Sequence, residues 1–156
     1  FGGCGGAVAY RRVMLEDTGM FDESFFMYCE DVDLNWRSQR SGWKCWYAPK
    51  AVVYHKLSAT GGGPIARYYT GRNTVRVIAK NYPSALLRKY WLQILGAQWK
   101  IARDALRSWR GEAARARLRG QVAGLLGWRR NYKRRQSEGN VPDEYLESLL
   151  RRTPED

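Results

Sequence analysis

The chain has 156 residues, enough for one domain with a sizeable core, and a formal net charge of +12. Residues 1–63 carry seven basic and seven acidic side chains, so the whole positive excess lies in 64–156 and points to an anionic partner for that part. Cys4, Cys29 and Cys45, odd in number with no Cys-x-x-Cys, exclude a disulfide scaffold, argue against zinc and read as reduced cytosolic thiols; no stretch is apolar enough to span a membrane.

Gly2 to Gly6 reads as a glycine-rich loop, followed by a short buried strand, Ala7 to Tyr10. Arg11 to Thr18 predicts one or two helical turns closed by Gly19. Phe21 to Phe26 is a loop with aromatic anchors, and Cys29 to Arg40 suits a helix ended by Gly42. Lys44 to Tyr47 and Ala51 to Tyr54 predict two strands, the first stopped by Pro49 and the second ending at His55. Residues 58–64 form a glycine-rich break. Helices are then expected over Ala66–Asn81, over Ser84–Trp109 with Ser84 as N-cap, over Glu112–Arg135, and as a short piece within Gly139–Asp156. The shift in composition divides the chain into 1–64 and a basic helical extension, 65–156. The opening Phe1-Gly2-Gly3, with no initiator Met and no signal peptide, suggests a fragment of a longer chain.

Chemistry concentrates at Glu30-Asp31-Val32-Asp33. On a helix Glu30 and Asp33 share a face, while Asp31 points about 100° away, so one carboxylate can open to a cleft while the others neutralise or cap. Acidic residues in a first turn also simply answer the helix dipole. His55, the one histidine, ends a predicted strand, where it is either a ligand or a satisfied ring. Gly2 to Gly6 lacks the spacing of a dinucleotide fingerprint and no phosphate loop occurs, so the glycines imply a tight turn or close backbone approach by a substrate.

In order and spacing, Gly5-Gly6-Ala7-x-x-x-Arg11-Arg12, Gly19-x-Phe21-Asp22-Glu23-x-Phe25-Phe26-x-Tyr28-x-Glu30-Asp31-Val32-Asp33-Leu34-x-Trp36-Arg37, Gly42-Trp43, Pro49-x-Ala51, His55, Arg72-Asn73 and Asn81-Tyr82-Pro83 resemble the C-terminal half of a family 2 glycosyltransferase. The nearest branch is that of bacterial rhamnosyltransferases building cell-surface polysaccharides. The resemblance covers residues 1–83. It implies an α/β chain: the C-terminal half of the mixed sheet of a glycosyltransferase-A fold, followed by the helical extension. It implies Asp31, beside Glu30, as the catalytic base of an inverting transfer, and Gly5, Gly6, Phe21, Asp22, Glu23 and Trp36 on the acceptor side. His55 would ligate a divalent cation, Mg or Mn, whose other ligands come from a missing nucleotide-binding half. The implied partners are a nucleotide-sugar donor and a saccharide or lipid-linked acceptor, with hexosyl or deoxyhexosyl transfer as the reaction. Arg37 would pair with the acidic cluster or approach the diphosphate. No Gln-x-x-Arg-Trp follows the acidic pair, so a single addition is implied rather than processive synthesis. Without the other half, inactivity, exposed apolar surface and marginal stability are expected of the chain alone.

Arg115, Arg117, Arg119, Arg129, Arg130, Lys133, Arg134 and Arg135 accompany Leu118, Leu125, Leu126 and Trp128, a basic amphipathic pattern suited to an anionic membrane surface. A peripheral place on the inner face of the plasma membrane follows. The other reading of this tail is a solvated helical pair. A non-catalytic basic module binding a membrane or polyanion, and a metal-dependent hydrolase, are the competing functions. No nucleic-acid reading module is recognisable, and the acidic front argues against nucleic acid.

Overall fold

The computed structural model describes residues 1–55, 62–134 and 139–151. They form seven helices: α1 (Arg12–Thr18), α2 (Glu30–Arg40), α3 (Pro64–Asn81), α4 (Ser84–Arg107), α5 (Glu112–Leu126), α6 (Trp128–Lys133) and α7 (Asp143–Arg151). A 3-10 turn, Glu23–Phe25, precedes α2.

The helix ends follow local chemistry. α1 stops at Gly19, whose φ of 79° suits a residue without Cβ. α2 carries Glu30, Asp31 and Asp33 in its first turn and Arg37 and Arg40 in its last, complementing the helix dipole at both ends. Pro64 opens α3, where its missing N–H costs nothing, and α3 ends ahead of Pro83. Ser84 is the first helical residue of α4 rather than its cap, a place taken by Pro83. The single helix expected over Glu112–Arg135 divides at Gly127 into α5 and α6.

The α/β expectation fails. Among the described residues there is no strand and no sheet, so the mixed sheet of a glycosyltransferase-A fold is absent; the sole bridge is an isolated antiparallel one between Cys4 and Ala7. Ala7–Tyr10, Lys44–Tyr47 and Ala51–Tyr54 all lack regular secondary structure. The physical reason is that a helix satisfies its backbone within itself, whereas a strand needs a neighbour to supply donors and acceptors. Here the flanking bonds are turns, Ala7 N–H to Cys4 O at 2.9 Å and Ala51 N–H to Ala48 O at 3.0 Å. The strand-like side chains consequently stay open to solvent, Trp46, Tyr47 and Val52 among them, with Tyr54 at 97 % exposure.

The core is a small cluster of Phe25, Trp36, Val77, Leu86 and Leu146, flanked by Tyr82, Tyr90, Val141 and Tyr145. It draws on α2, α3, α4 and α7 together. Behind it α3 and α5 pack very closely. A Cβ on Gly120 would overlap the Tyr68 carbonyl, and one on Gly124 would come within 2.8 Å of the Arg72 oxygen.

Candidate functional site

The acidic pair is delivered by an unusual turn. Phe26, Tyr28 and Cys29 all have φ near +65°, a conformation that costs a side-chain-bearing residue on the order of 1–3 kcal/mol each. α3 holds it. The fully buried Asn73 donates from Nδ2 to the carbonyls of Phe25, Met27 and Tyr28 at 3.0, 2.8 and 2.8 Å. Arg72 donates to the carbonyls of Ser24 and Phe25 at 2.8 and 3.1 Å, and Arg76 to that of Ser24 at 2.8 Å. The chain leaves this clamp directly into Glu30 and Asp31.

From there the carboxylates part. Asp33 is wholly buried, bonded by Arg37 Nε at 2.9 Å, by Asn81 at 2.8 Å and by Lys80 at 2.8 and 3.0 Å. Its charge is compensated on every side, which a buried carboxylate requires. Arg37 also donates to the carbonyls of Thr18, Gly19 and Met20, so it serves the acidic cluster and the end of α1. Asp31 stays half-buried: Oδ2 accepts the Gly5 N–H at 2.8 Å, and Oδ1 the Val32 N–H at 2.8 Å. One oxygen of Glu30 is buried with no hydrogen-bond partner.

The glycine loop joins the remaining pieces. Gly5 touches Asp31, and a Cβ on Gly6 would stand 3.0 Å from Cδ2 and 3.2 Å from Nε2 of His55. Gly5, Gly6, Asp31 and His55 thus meet, with the two glycines between carboxylate and imidazole. Tyr10 belongs here too. Burial pushes its phenol up, and the charges of Asp31, Cys45, Cys4 and Glu30 push it further; its hydroxyl has no partner. The ring of Phe21 packs edge-on against that of Tyr10 at 6.0 Å.

Other predicted residues stand elsewhere. Asp22 caps the 3-10 turn and faces α3. Burial alone would raise its carboxyl, but the bond from Lys80 at 2.8 Å and those from Ser24 hold it well below the usual carboxylate range. Arg76 lies 3.7 Å away. Glu23 is exposed on the same turn, and Trp36 is 3 % exposed in the core, against the rings of Phe1 and Tyr82. Tyr10 was not singled out in the sequence, because nothing in its spacing separates it from the apolar run it ends.

A magnesium or manganese ion calls for several oxygen donors. Among the described residues no three His, Cys, Asp or Glu side chains gather closely enough to hold a metal ion, so His55 and the acidic pair do not form a cation site by themselves. A cleft of ≈ 320 Å³ between α3, α4 and α7, lined by Tyr82, Ile94 and Leu150 among others, includes none of the residues around the glycine loop.

Comparison with known proteins adds a partial match. The chain is 44 % identical over 61 residues to the N-acetylglucosaminyl-diphospho-decaprenol L-rhamnosyltransferase of two strains of Mycobacterium tuberculosis. The matched stretch is 38 % of this chain and 20 % of those relatives, so the chain corresponds to about a fifth of their length. No family model matches the chain, and no solved structure is similar to it.

Proposed function

We propose that this chain carries the base-bearing, acceptor-facing part of an inverting glycosyltransferase. The observation that carries the reading is the bond from the Gly5 N–H to Asp31, which aims a half-buried carboxylate at a glycine loop lined on its other side by His55. Each oxygen of Asp31 accepts one backbone N–H at 2.8 Å, and a carboxylate keeps lone pairs beyond that for a hydroxyl proton. The partial likeness to a rhamnosyltransferase supports the same reading.

In the proposed reaction Asp31 takes the proton of an acceptor hydroxyl as that oxygen attacks the anomeric carbon of a nucleotide-linked sugar. The bond from that carbon to the diphosphate oxygen breaks, the electron pair leaves with the nucleotide diphosphate, and the configuration inverts. The glycine loop lets the acceptor approach the backbone closely, and Phe21 and Tyr10 offer apolar faces for a saccharide ring. The donor is a rhamnosyl or related nucleotide and the acceptor a lipid-linked saccharide, by analogy with the mycobacterial relatives.

The test is transfer of labelled rhamnose to a polyprenyl-diphosphate-linked N-acetylglucosamine by the longest natural form of the protein and by its Asp31→Asn variant. Loss of a positioned base lowers the rate about 10²–10⁴-fold, with acceptor binding retained. A variant that transfers as fast as its parent overturns the assignment.

A further inference from the structure

The longest helix presents an apolar face that no other part of the described chain covers. Trp91, Leu92, Leu95, Trp99 and Leu106 of α4 are all exposed, Trp99 at 65 %, and the exposed Trp109 follows just beyond the helix end. At about 100° per residue the five helical positions fall within one arc of about 100°, a single stripe. The rest of the circumference of α4 is pinned. Leu86 and Ala105 are buried, Lys89 and Tyr90 bond Glu147 of α7, and Gln98 receives the Gln121 side chain of α5. The stripe therefore faces outward because of how the helix is held.

By the same geometry Lys100, Arg103 and Arg107 run along one edge of the stripe, Arg88 falls within its arc near the start of the helix, and Arg110 follows beyond the helix end, all exposed. Asp104 is the one acid of α4, and it lies 3.9 Å from both Arg103 and Arg107, too far to neutralise either fully. An apolar stripe containing tryptophans, flanked by cations, matches the interface of an anionic bilayer, with side chains in the acyl boundary and charges among the headgroups. A core-facing partner helix would find one cation within its contact and three along one edge of it. Two of the α5–α6 cations marked out by the sequence are taken up within the fold. Arg115 is engaged by the carbonyls of Trp109 and Arg110 at the end of α4, and Arg117 is half-buried, its guanidinium pulled down by desolvation.

We propose that α4 is an interfacial helix that docks this protein on anionic lipid. The inference stands apart from the transferase reading, because lipid binding is read with no sugar present and either can fail alone. The test is co-sedimentation of the 156-residue chain with phosphatidylcholine vesicles, with and without phosphatidylglycerol. The chain binds the anionic vesicles and releases them as salt is raised. Trp91→Ala/Leu95→Ala/Trp99→Ala abolishes binding, and Val13→Ala, an equally exposed apolar site on α1, does not. Arg103→Gln/Arg107→Gln, which leaves the stripe intact, weakens it about 25-fold, at about fivefold per cation near the surface. Binding that is equal for both lipids, or unchanged in both variants, overturns the proposal. So does a lipid-free dimer in sedimentation that the triple variant dissolves, since the stripe would then belong to a second copy of this chain.

Discussion

The backbone N–H of Gly5 donates to Oδ2 of Asp31 at 2.8 Å, joining two points 26 positions apart. The neighbouring Gly6 lies so close to His55 that a methyl group there would press on its ring. Gly6→Ala is therefore expected to displace the imidazole while barely changing stability. His55 is the single histidine of the chain, so its ring signals in NMR report this without assignment ambiguity. Ring signals that stay in place in Gly6→Ala would contradict the contact.

Asn73 supports the left-handed turn ahead of the acidic pair by bonding three carbonyls from one buried amide. Asn73→Ala removes the donor and leaves those acceptors short, at a cost of about 2–4 kcal/mol. Asn73→Asp replaces the donor with an acceptor facing other acceptors and should destabilise at least as much. Urea denaturation of both variants checks the ranking; a loss within experimental error in Asn73→Ala would show that the turn stands unaided.

Acid sensitivity should follow Asp22. Its folded carboxyl titrates below the unfolded one, because the bonds from Lys80 and Ser24 outweigh burial. The stabilisation is complete above the ordinary carboxylate range and drains away as pH falls below about 4, where the unfolded chain takes up the proton more readily. Denaturation midpoints at pH 3 and pH 6 should differ more in the parent than in Asp22→Asn. Equal differences in the two proteins would remove Asp22 as the source.

The crossing of α3 and α5 depends on the missing side chain at residue 120, where the Tyr68 carbonyl occupies the place of a Cβ. Gly120→Val forces the helices apart and should cost about 3 kcal/mol, seen as a lower thermal midpoint by circular dichroism. A helix-favouring Gly120→Ala should also destabilise, although Ala is the better helix former by about 1 kcal/mol. A more stable Gly120→Ala protein would mean that the crossing is looser than described.

What could be read beforehand was mostly local. Gly19, Gly42 and Pro83 mark helix ends within the sequence itself, and those helices appear within a residue or two of expectation. The extended stretches depart from expectation because alternation in Lys44–Tyr47 and the valines of Ala51–Tyr54 show aptitude for a strand but not the presence of a partner. Within the site, the glycine loop and His55 stand out by residue type, whereas Asp31 is set apart from Glu30 and Asp33 only by the resemblance to a glycosyltransferase family. The inward turn of Asp33 could not be read, because Lys80 and Asn81 approach it from 47 and 48 positions away. Tyr10 was hidden for the same reason: its neighbours meet it only after folding.

Asn73 lies 45 positions after the Tyr28 carbonyl it grips, which gives synthesis of the chain a definite order of events. A ribosome releases Glu30 and Asp31 well before the helix that shapes their approach. A nascent chain halted ahead of Pro64 carries both acids on an unsupported bend, and protease should cut it at Phe26 to Tyr28, whereas chains extended past Lys133 resist. The acid pair is thus translated ahead of the segment that shapes its approach.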